Sequence, residues 1–333
     1  MKVDVYKLFK DSPISLHVGL RRMDRTSTEI HSDTLFSALS NSLIRLFGED
    51  RFENFEKKLV VSSIFVGIRT PGRDILFLPM PDFMIKLPGN EGEQYKKYKK
   101  IQWISKMALD KLLKFLNKED FSIYLKELDF FKFLNDKFIV SKEEFEEIRE
   151  EVYFMDTILE PKVNVDRETN GSNNLYFQEN LVLYEVKTSQ GILIKPFLYF
   201  LKYRDIELDK IFVPTLNLFI EEGVGGERST GKGNFDYYER DELEIPTEGS
   251  FEITLSLTIP KREEVDNLVY YQLVKRDGFI FYHEPKGFKK KTHYKVKEGA
   301  LVKSPYEGQN IDVSPREDMR VISYGKNLGY KFS

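Results

Sequence analysis

Cysteine is absent from the 333 residues, which excludes disulfides, cysteine-ligated zinc, iron–sulfur clusters and thiol nucleophiles together. Histidine is nearly as scarce. The four present, His17, His31, His283 and His293, lie too far apart for a local zinc motif. No apolar run approaches the ~18 uncharged residues that a membrane-crossing helix needs, and the opening MKVDVYKLFK has no apolar leader core. Neither metal, cofactor nor membrane is expected, and a cytoplasmic, reducing compartment follows. Neither charge sign dominates: 51 Lys and Arg stand against 54 Asp and Glu, a net of −3. That balance argues against a free-standing nucleic-acid binder and leaves room for a local basic track. Hydrophobic residues at 41% and aromatics at 14% are ample for a core, and the length suits two domains.

Residues 3–8 alternate as a strand. A polar stretch with Arg21, Arg22 and Arg25 follows, then TLFSALSNSLIRLFG, whose Leu35, Leu39, Leu43 and Leu46 recur at helical spacing up to a stop at Gly48. Ser32 is the expected N-cap. Residues 59–66 and 74–78 read as neighbouring strands around Pro71-Gly72. Strand, loop, helix, strand, strand is the first half of a ferredoxin-like unit. Residues 90–155 form a charged helical insertion: 96–118 carry eight Lys and one Asp, while 141–151 carry six Glu against two basic groups. These read as two solvated helix faces, with polymer binding by the Lys run as the alternative.

The segment 161–180 is expected to be a polar finger and linker between an N-terminal module, 1–160, and a C-terminal module, 181–333. In the second half, strands near 181–187 and 192–200 precede a helix ending at Glu222, with Pro214 in its first turn. Strands at 251–259 and 268–275 follow, the latter turning at Asp277-Gly278 into 279–282. The whole is predicted to be α+β, with two ferredoxin-like modules.

Between helix and strands lies the chemically richest segment, residues 223–233, with five Gly beside Arg228, Ser229, Thr230 and Lys232. Gly226 to Lys232 fits GxxxxGK, but Gly233 stands where a P-loop needs a hydroxyl, and no phosphate-capping helix follows. ATP hydrolysis is not expected. A loop whose backbone N–H groups, with Arg228 and Lys232, hold phosphates, whose Gly225 and Gly226 allow close approach, and whose Ser229 and Thr230 donate to phosphate oxygens fits an RNA backbone. A purely structural turn cluster is the alternative.

Three segments in register carry a resemblance. Ile30-His-Ser-Asp-Thr-Leu-Phe-Ser-Ala-Leu39 resembles the start of the first helix in RAMP-superfamily proteins of type III CRISPR effectors. Asn164-Val-Asp-Arg-Glu-Thr-Asn-Gly171 is similar to their insertion finger, and Gly223 to Gly233 to their glycine-rich loop. The resemblance is to the subunit of the type III-A (Csm) complex that holds the guide RNA's repeat-derived 5′ handle. It implies a non-catalytic RNA-binding subunit whose partners are the single-stranded guide handle, the large polymerase-like subunit and the backbone RAMP subunit. A guide-processing endoribonuclease of the same superfamily and a protein-only scaffold remain the alternatives.

Within that reading, Arg21, Arg22 and Arg25 are candidates for one wall of an RNA groove, and Arg167 for a kinked nucleotide. His31 is open between RNA contact, general-base catalysis and simple packing, with Ser32 and Asp33 capping the helix. Residues 283–297 interleave His283, Lys286, Phe288, Lys289, Lys290, Lys291, His293, Tyr294, Lys295 and Lys297, the mixture of stacking surface and phosphate attraction that single-strand binding uses.

Overall fold

The computed structural model describes residues 2–19, 24–86, 92–165, 172–280 and 287–333. Five antiparallel strands build the first sheet: β1 (Lys2–Phe9), β2 (Phe65–Arg69), β3 (Asp74–Pro79), β4 (Leu193–Tyr203) and β5 (Tyr237–Glu244). Their spatial order is β5-β1-β4-β2-β3. β1 has neighbours on both edges, and seven of its eight residues are buried, as a central strand requires. Helix α1 (Ser32–Phe47) connects β1 to β2, and α2 (Ile206–Glu222) connects β4 to β5; the two pack against each other. Phe212 of α2 lies on Tyr6 of β1 and Phe200 of β4, with ring centroids 5.3 and 6.4 Å apart.

The second sheet holds β6 (Phe251–Thr254), β7 (Leu268–Tyr270), β8 (Leu301–Lys303) and β9 (Gly329–Phe332), in the order β9-β6-β8-β7. Here the connections are a 3-10 turn, Arg262–Asn267, and a small ribbon pairing Ile311–Asp312 with Ile322–Ser323. Among the described residues no helix is long and apolar enough to cross a membrane.

This pairing moves the expected division of the chain. β4, α2 and β5 were assigned from sequence to a module beginning at 181, yet they complete the sheet that β1 opens. Hydrophobic alternation marks a strand but not its partner, and β1 finds its neighbours roughly two hundred residues later. The segment expected to join the halves is instead a hairpin. Strands Met155–Val165 and Ser172–Leu183 pair from Met155↔Leu183 out to Val165↔Ser172. The insertion adds strands Trp103–Ser105, Phe131–Phe133 and Phe138–Ser141 to the first sheet. Its two charged runs meet through a Lys111–Glu143 ion pair.

Two turns also differ from expectation. Pro214 stands in the middle of α2, whose start is fixed by the Asp205 carboxylate accepting from the Leu208 amide at 2.9 Å. Asp277-Gly278 does not close a hairpin. Leu273–Arg276 pairs with His293–Val296, and Phe279–Ile280 with Phe288–Lys289, so the dipeptide is an irregularity in one longer arm.

Three consecutive residues at the start of α1 join the halves. The His31 ring, at the N-cap position and 7% exposed, meets the Glu298 carboxylate through Nδ1 at 2.9 Å. Ser32 is not the cap: its hydroxyl accepts from the Leu257 amide at 3.0 Å, and its own amide donates to Ser63 Oγ at 2.7 Å. Asp33 accepts a two-pronged bond from Arg276, at 2.8 and 2.7 Å, and a third from Lys295 at 2.9 Å. The site gains its shape from this seam.

Burial opposes charge on His31, but the Glu298 carboxylate more than offsets it and raises the imidazole above its ordinary 6.5. Burial likewise opposes charge on Glu298, and His31 with Ser63 pulls it below its ordinary 4.5. The pair therefore contributes fully between about pH 4.5 and 6.5. Its contribution falls as pH rises through the folded histidine value, and again as pH drops through the folded glutamate value. The stability gap between wild type and His31→Gln, read by urea denaturation, should be widest near pH 5.5 and narrow toward pH 9. A gap constant with pH would show that the ring contributes packing alone. Asp33→Asn should cost about 3–5 kcal/mol in the same assay, because it leaves the fully buried Lys295 without its carboxylate.

Candidate nucleic-acid interface

The seam opens into a cleft of about 310 Å³. One wall is the first three turns of α1, with Asp33, Thr34, Ser37, Ala38 and Asn41; the opposite side is the glycine loop, with Gly223, Gly225, Gly226 and Arg228. Arg276, Lys290, Ile322 and Ser323 close it from the C-terminal half, and Val18 and Gly19 line its remaining edge. Three elements singled out in the sequence thus converge, although they lie on different sheets.

The loop's glycines serve the backbone first. Gly225 has φ +93°, and a Cβ there would come within 2.6 Å of the His17 carbonyl oxygen. Gly233 has φ +76° and would place one 2.0 Å from the Val224 carbonyl oxygen. Only glycine fits at either position. The expected cradle of free amides is largely closed. Gly226 N–H donates to the His17 carbonyl at 2.7 Å, Gly233 to Ser15 at 2.9 Å and Val224 to Gly233 at 3.0 Å. Attraction for an anion therefore rests on side chains.

Arg228 is exposed at the start of the 3-10 turn Arg228–Thr230 and lines the cleft. Ser229 and Thr230 are exposed beside it, outside the cleft, and the Thr230 hydroxyl donates to the Glu227 carbonyl at 2.8 Å. Lys232, expected to meet phosphate, instead reaches Glu160 of the finger hairpin at 2.6 Å. A second ion pair, Lys162–Glu227, runs the other way, so hairpin and loop are cross-linked by two oppositely oriented bridges. The hairpin's other face leaves Leu159, Val163, Leu175 and Phe177 exposed.

The basic segment sorts by face. Lys290 lines the cleft, and burial together with Arg276 lowers its ammonium below the ordinary value despite Asp33 nearby. Lys289 and Lys291 are exposed outside the cleft. Lys295 is internal, bound to Asp33 and the Tyr324 carbonyl, and Lys297, half-buried outside the cleft, pairs with Glu29 at 2.7 Å. His31 is removed from the RNA-facing set, since its ring is buried against Glu298. Arg25 is exposed beside the finger hairpin, where the Asp24 carbonyl accepts from the Glu179 amide, and does not line the cleft. Arg21, Arg22, Arg167, His283 and Lys286 lie outside the described residues.

Sequence reading missed Arg276. It sits 243 positions from Asp33, and nothing in the local pattern of a strand ending in Lys-Arg-Asp-Gly marks its partner. Asp33 is held well below the carboxylate range: burial acts against its charge, but Lys295, Arg276 and His31 together prevail. Arg228, Arg276 and Lys290 thus face the cleft with Asp33 as the one carboxylate in its lining among the described residues, and Asp33 is already neutralised. The cleft's charge therefore favours an anionic ligand.

Comparison with known proteins agrees on kinship. A model of the RAMP superfamily matches residues 15–236, and one of the CRISPR Csm4 C-terminal domain matches 247–332. The CRISPR system Cms protein Csm4 of Methanocaldococcus jannaschii is 30% identical over 91% of this chain and 86% of its own length. The chain belongs to the Csm4 family of the RAMP superfamily. Csm4 of Streptococcus thermophilus is 26% identical over 98% of both chains. Among solved structures, one described as a Csm3-Csm4 subcomplex in the type III-A CRISPR-Cas interference complex aligns over the full length of both chains with a TM-score of 0.67 at 22% identity. A Csm1-Csm4 cassette in complex with cA4 aligns over all of this chain and 98% of that one, with a TM-score of 0.59 at 18% identity. The two family matches meet between 236 and 247, where the first sheet ends at Glu244 and the second begins at Phe251.

The cross-links make a prediction about the finger. Lys232→Glu should loosen the hairpin, speeding amide exchange along 157–163 and 175–181, with a cost of about 0.5–1 kcal/mol for a partly exposed pair. Restoring opposite charge by adding Glu160→Lys should slow exchange again. Equal exchange in all three proteins would show that the bridge does not hold the hairpin.

Proposed function

We propose that this Csm4-family chain is a non-catalytic RNA-binding subunit of a type III-A CRISPR interference complex, and that its cleft holds the repeat-derived 5′ handle of the guide RNA. The observation that carries this is the excess of cationic side chains where the glycine loop, the start of α1 and the C-terminal hairpin converge. Phosphates supply an extended anion, and Arg228 and Lys290 stand open to it while Arg276 is fixed by Asp33. Single-stranded RNA suits a cleft this narrow, because an unpaired backbone can bend into it.

Each sheet supports the architecture. Numbered in chain order, β1, β2, β4 and β5 lie as 4-1-3-2, and so do β6, β7, β8 and β9. We read these as two ferredoxin-like modules, the second with its helices reduced to a 3-10 turn and a small ribbon. The absence of catalysis is inferred from His31, whose ring nitrogen is engaged by Glu298 beneath the surface and which does not line the cleft as a general base would. The partners follow from the assemblies in which relatives were solved: a backbone RAMP subunit, as in the Csm3-Csm4 subcomplex, and a large polymerase-like subunit, as in the Csm1-Csm4 cassette. A subunit touching both would bridge them at the guide's 5′ end.

Arg228→Glu tests the reading. It should weaken binding of handle-bearing single-stranded RNA and lower the slope of log affinity against log salt by about 0.7 for each phosphate no longer neutralised. Lys290→Glu should act in the same direction. Unchanged affinity across the salt titration, with circular dichroism intact, would leave the chain a protein-only scaffold.

A further inference from the structure

The hairpin that closes the cleft has a second face. In its paired strands, Lys275 lies opposite Tyr294, and Val274 opposite Lys295. Side chains alternate across such a ribbon. Arg276 and Lys295 reach Asp33 on one side, so Lys275 and Tyr294 stand together on the other. Tyr294 is 60% exposed, and Leu273, one pair along the same face, is 57% exposed. A tyrosine this bare contributes little to the core beneath it.

Its surroundings are cationic. Lys275 is its cross-strand partner, held only loosely at 3.6 Å from Asp277. Farther out along the same arm, Lys289 is exposed opposite Phe279, itself 58% exposed. Lys290, next to Lys289, lines the cleft, and on the inner side His293 Nε2 lies 2.9 Å from the hydroxyl of Ser323 on the cleft wall. The cleft and the outer face are thus the two sides of one ribbon.

We propose that this face is a stacking platform for single-stranded RNA, with a base lying on Tyr294 and a flanking phosphate on Lys275. The platform rests on the reading of the cleft as an RNA site and extends it: a strand held by Arg228 and Lys290 continues over the hairpin edge. Lysine beside an exposed ring favours RNA over protein, because protein interfaces are depleted in lysine whereas single-strand sites combine rings with cations. Every base has a π face, so the platform is indifferent to sequence.

The test measures binding of the full chain to fluorescein-labelled oligouridine and oligoadenosine of about 12 nucleotides, within the span that such sites cover, and to a uridine dinucleotide that reaches the cleft alone. Tyr294→Ala should weaken both longer strands about tenfold, in keeping with the loss of one base–aromatic stack. It should leave dinucleotide affinity and the melting temperature unchanged, and Tyr294→Phe should bind as wild type. Unchanged affinity for the longer strands overturns the platform; Arg228→Glu in the same assay shows separately whether the cleft reading stands. Equal losses for long and short ligands with a lowered melting temperature would make Tyr294 structural. Loss of co-purification with a co-expressed partner subunit at unchanged RNA affinity would make the face a protein contact, and either result overturns the proposal.

Discussion

A single carboxylate determines how the two halves of this chain meet. Asp33 sits in the first turn of α1, where the helix dipole already favours negative charge. It there receives both Arg276 and a fully buried Lys295 from the other half. A buried ammonium without a counter-charge is strongly unfavourable, so the C-terminal hairpin has one register in which its inner face is satisfied. His31 and Ser32 act beside it, through Glu298 and Leu257. The three contacts fix the approach of the second sheet to α1, and with it the width of the cleft.

The cleft is consequently a product of assembly within one chain. The glycine loop belongs to the first sheet, because α2 leads into it and β5 leaves it. Lys290 and Arg276 belong to the hairpin of the second half. Neither contribution attracts a polyanion strongly alone, and a net charge of −3 supplies no general pull. Bringing three cations to one opening produces a local field that the overall charge balance conceals.

Much of the fold was legible where the signal is local. β1, α1 with its stop at Gly48, β3 and the α+β class follow from periodicity and turn residues, whereas β2 begins at Phe65, six residues past the start expected at Leu59. What was illegible is partnership. The charge of Lys232 reads the same whether it meets a phosphate or Glu160, and 72 positions separate those two residues. Lys295 and Lys290 look alike in a basic run, yet ribbon alternation and Asp33 draw one into the interior and leave the other at the cleft. His31 in an Ile-His-Ser-Asp segment could be a base, a contact or a packing group, and the residue that decides, Glu298, lies 267 positions away.

The glycine loop shows what such a reading gets wrong and why the error is informative. Glycine density near Arg and Lys suggests a flexible cradle whose amides wrap a phosphate. Here the positive φ angles let the loop press against the His17 and Val224 carbonyls, and its amides close onto the protein. Two ion pairs then fasten the loop to the finger. On the proposed RNA reading, a loop bound on so many sides loses little entropy when a strand arrives, because the Arg228 backbone is already fixed. Rigidity also means that affinity comes from a few cationic side chains rather than a ring of backbone donors. Binding of that kind is governed by counterion release, and it is selective for the path of a backbone rather than for the identity of its bases.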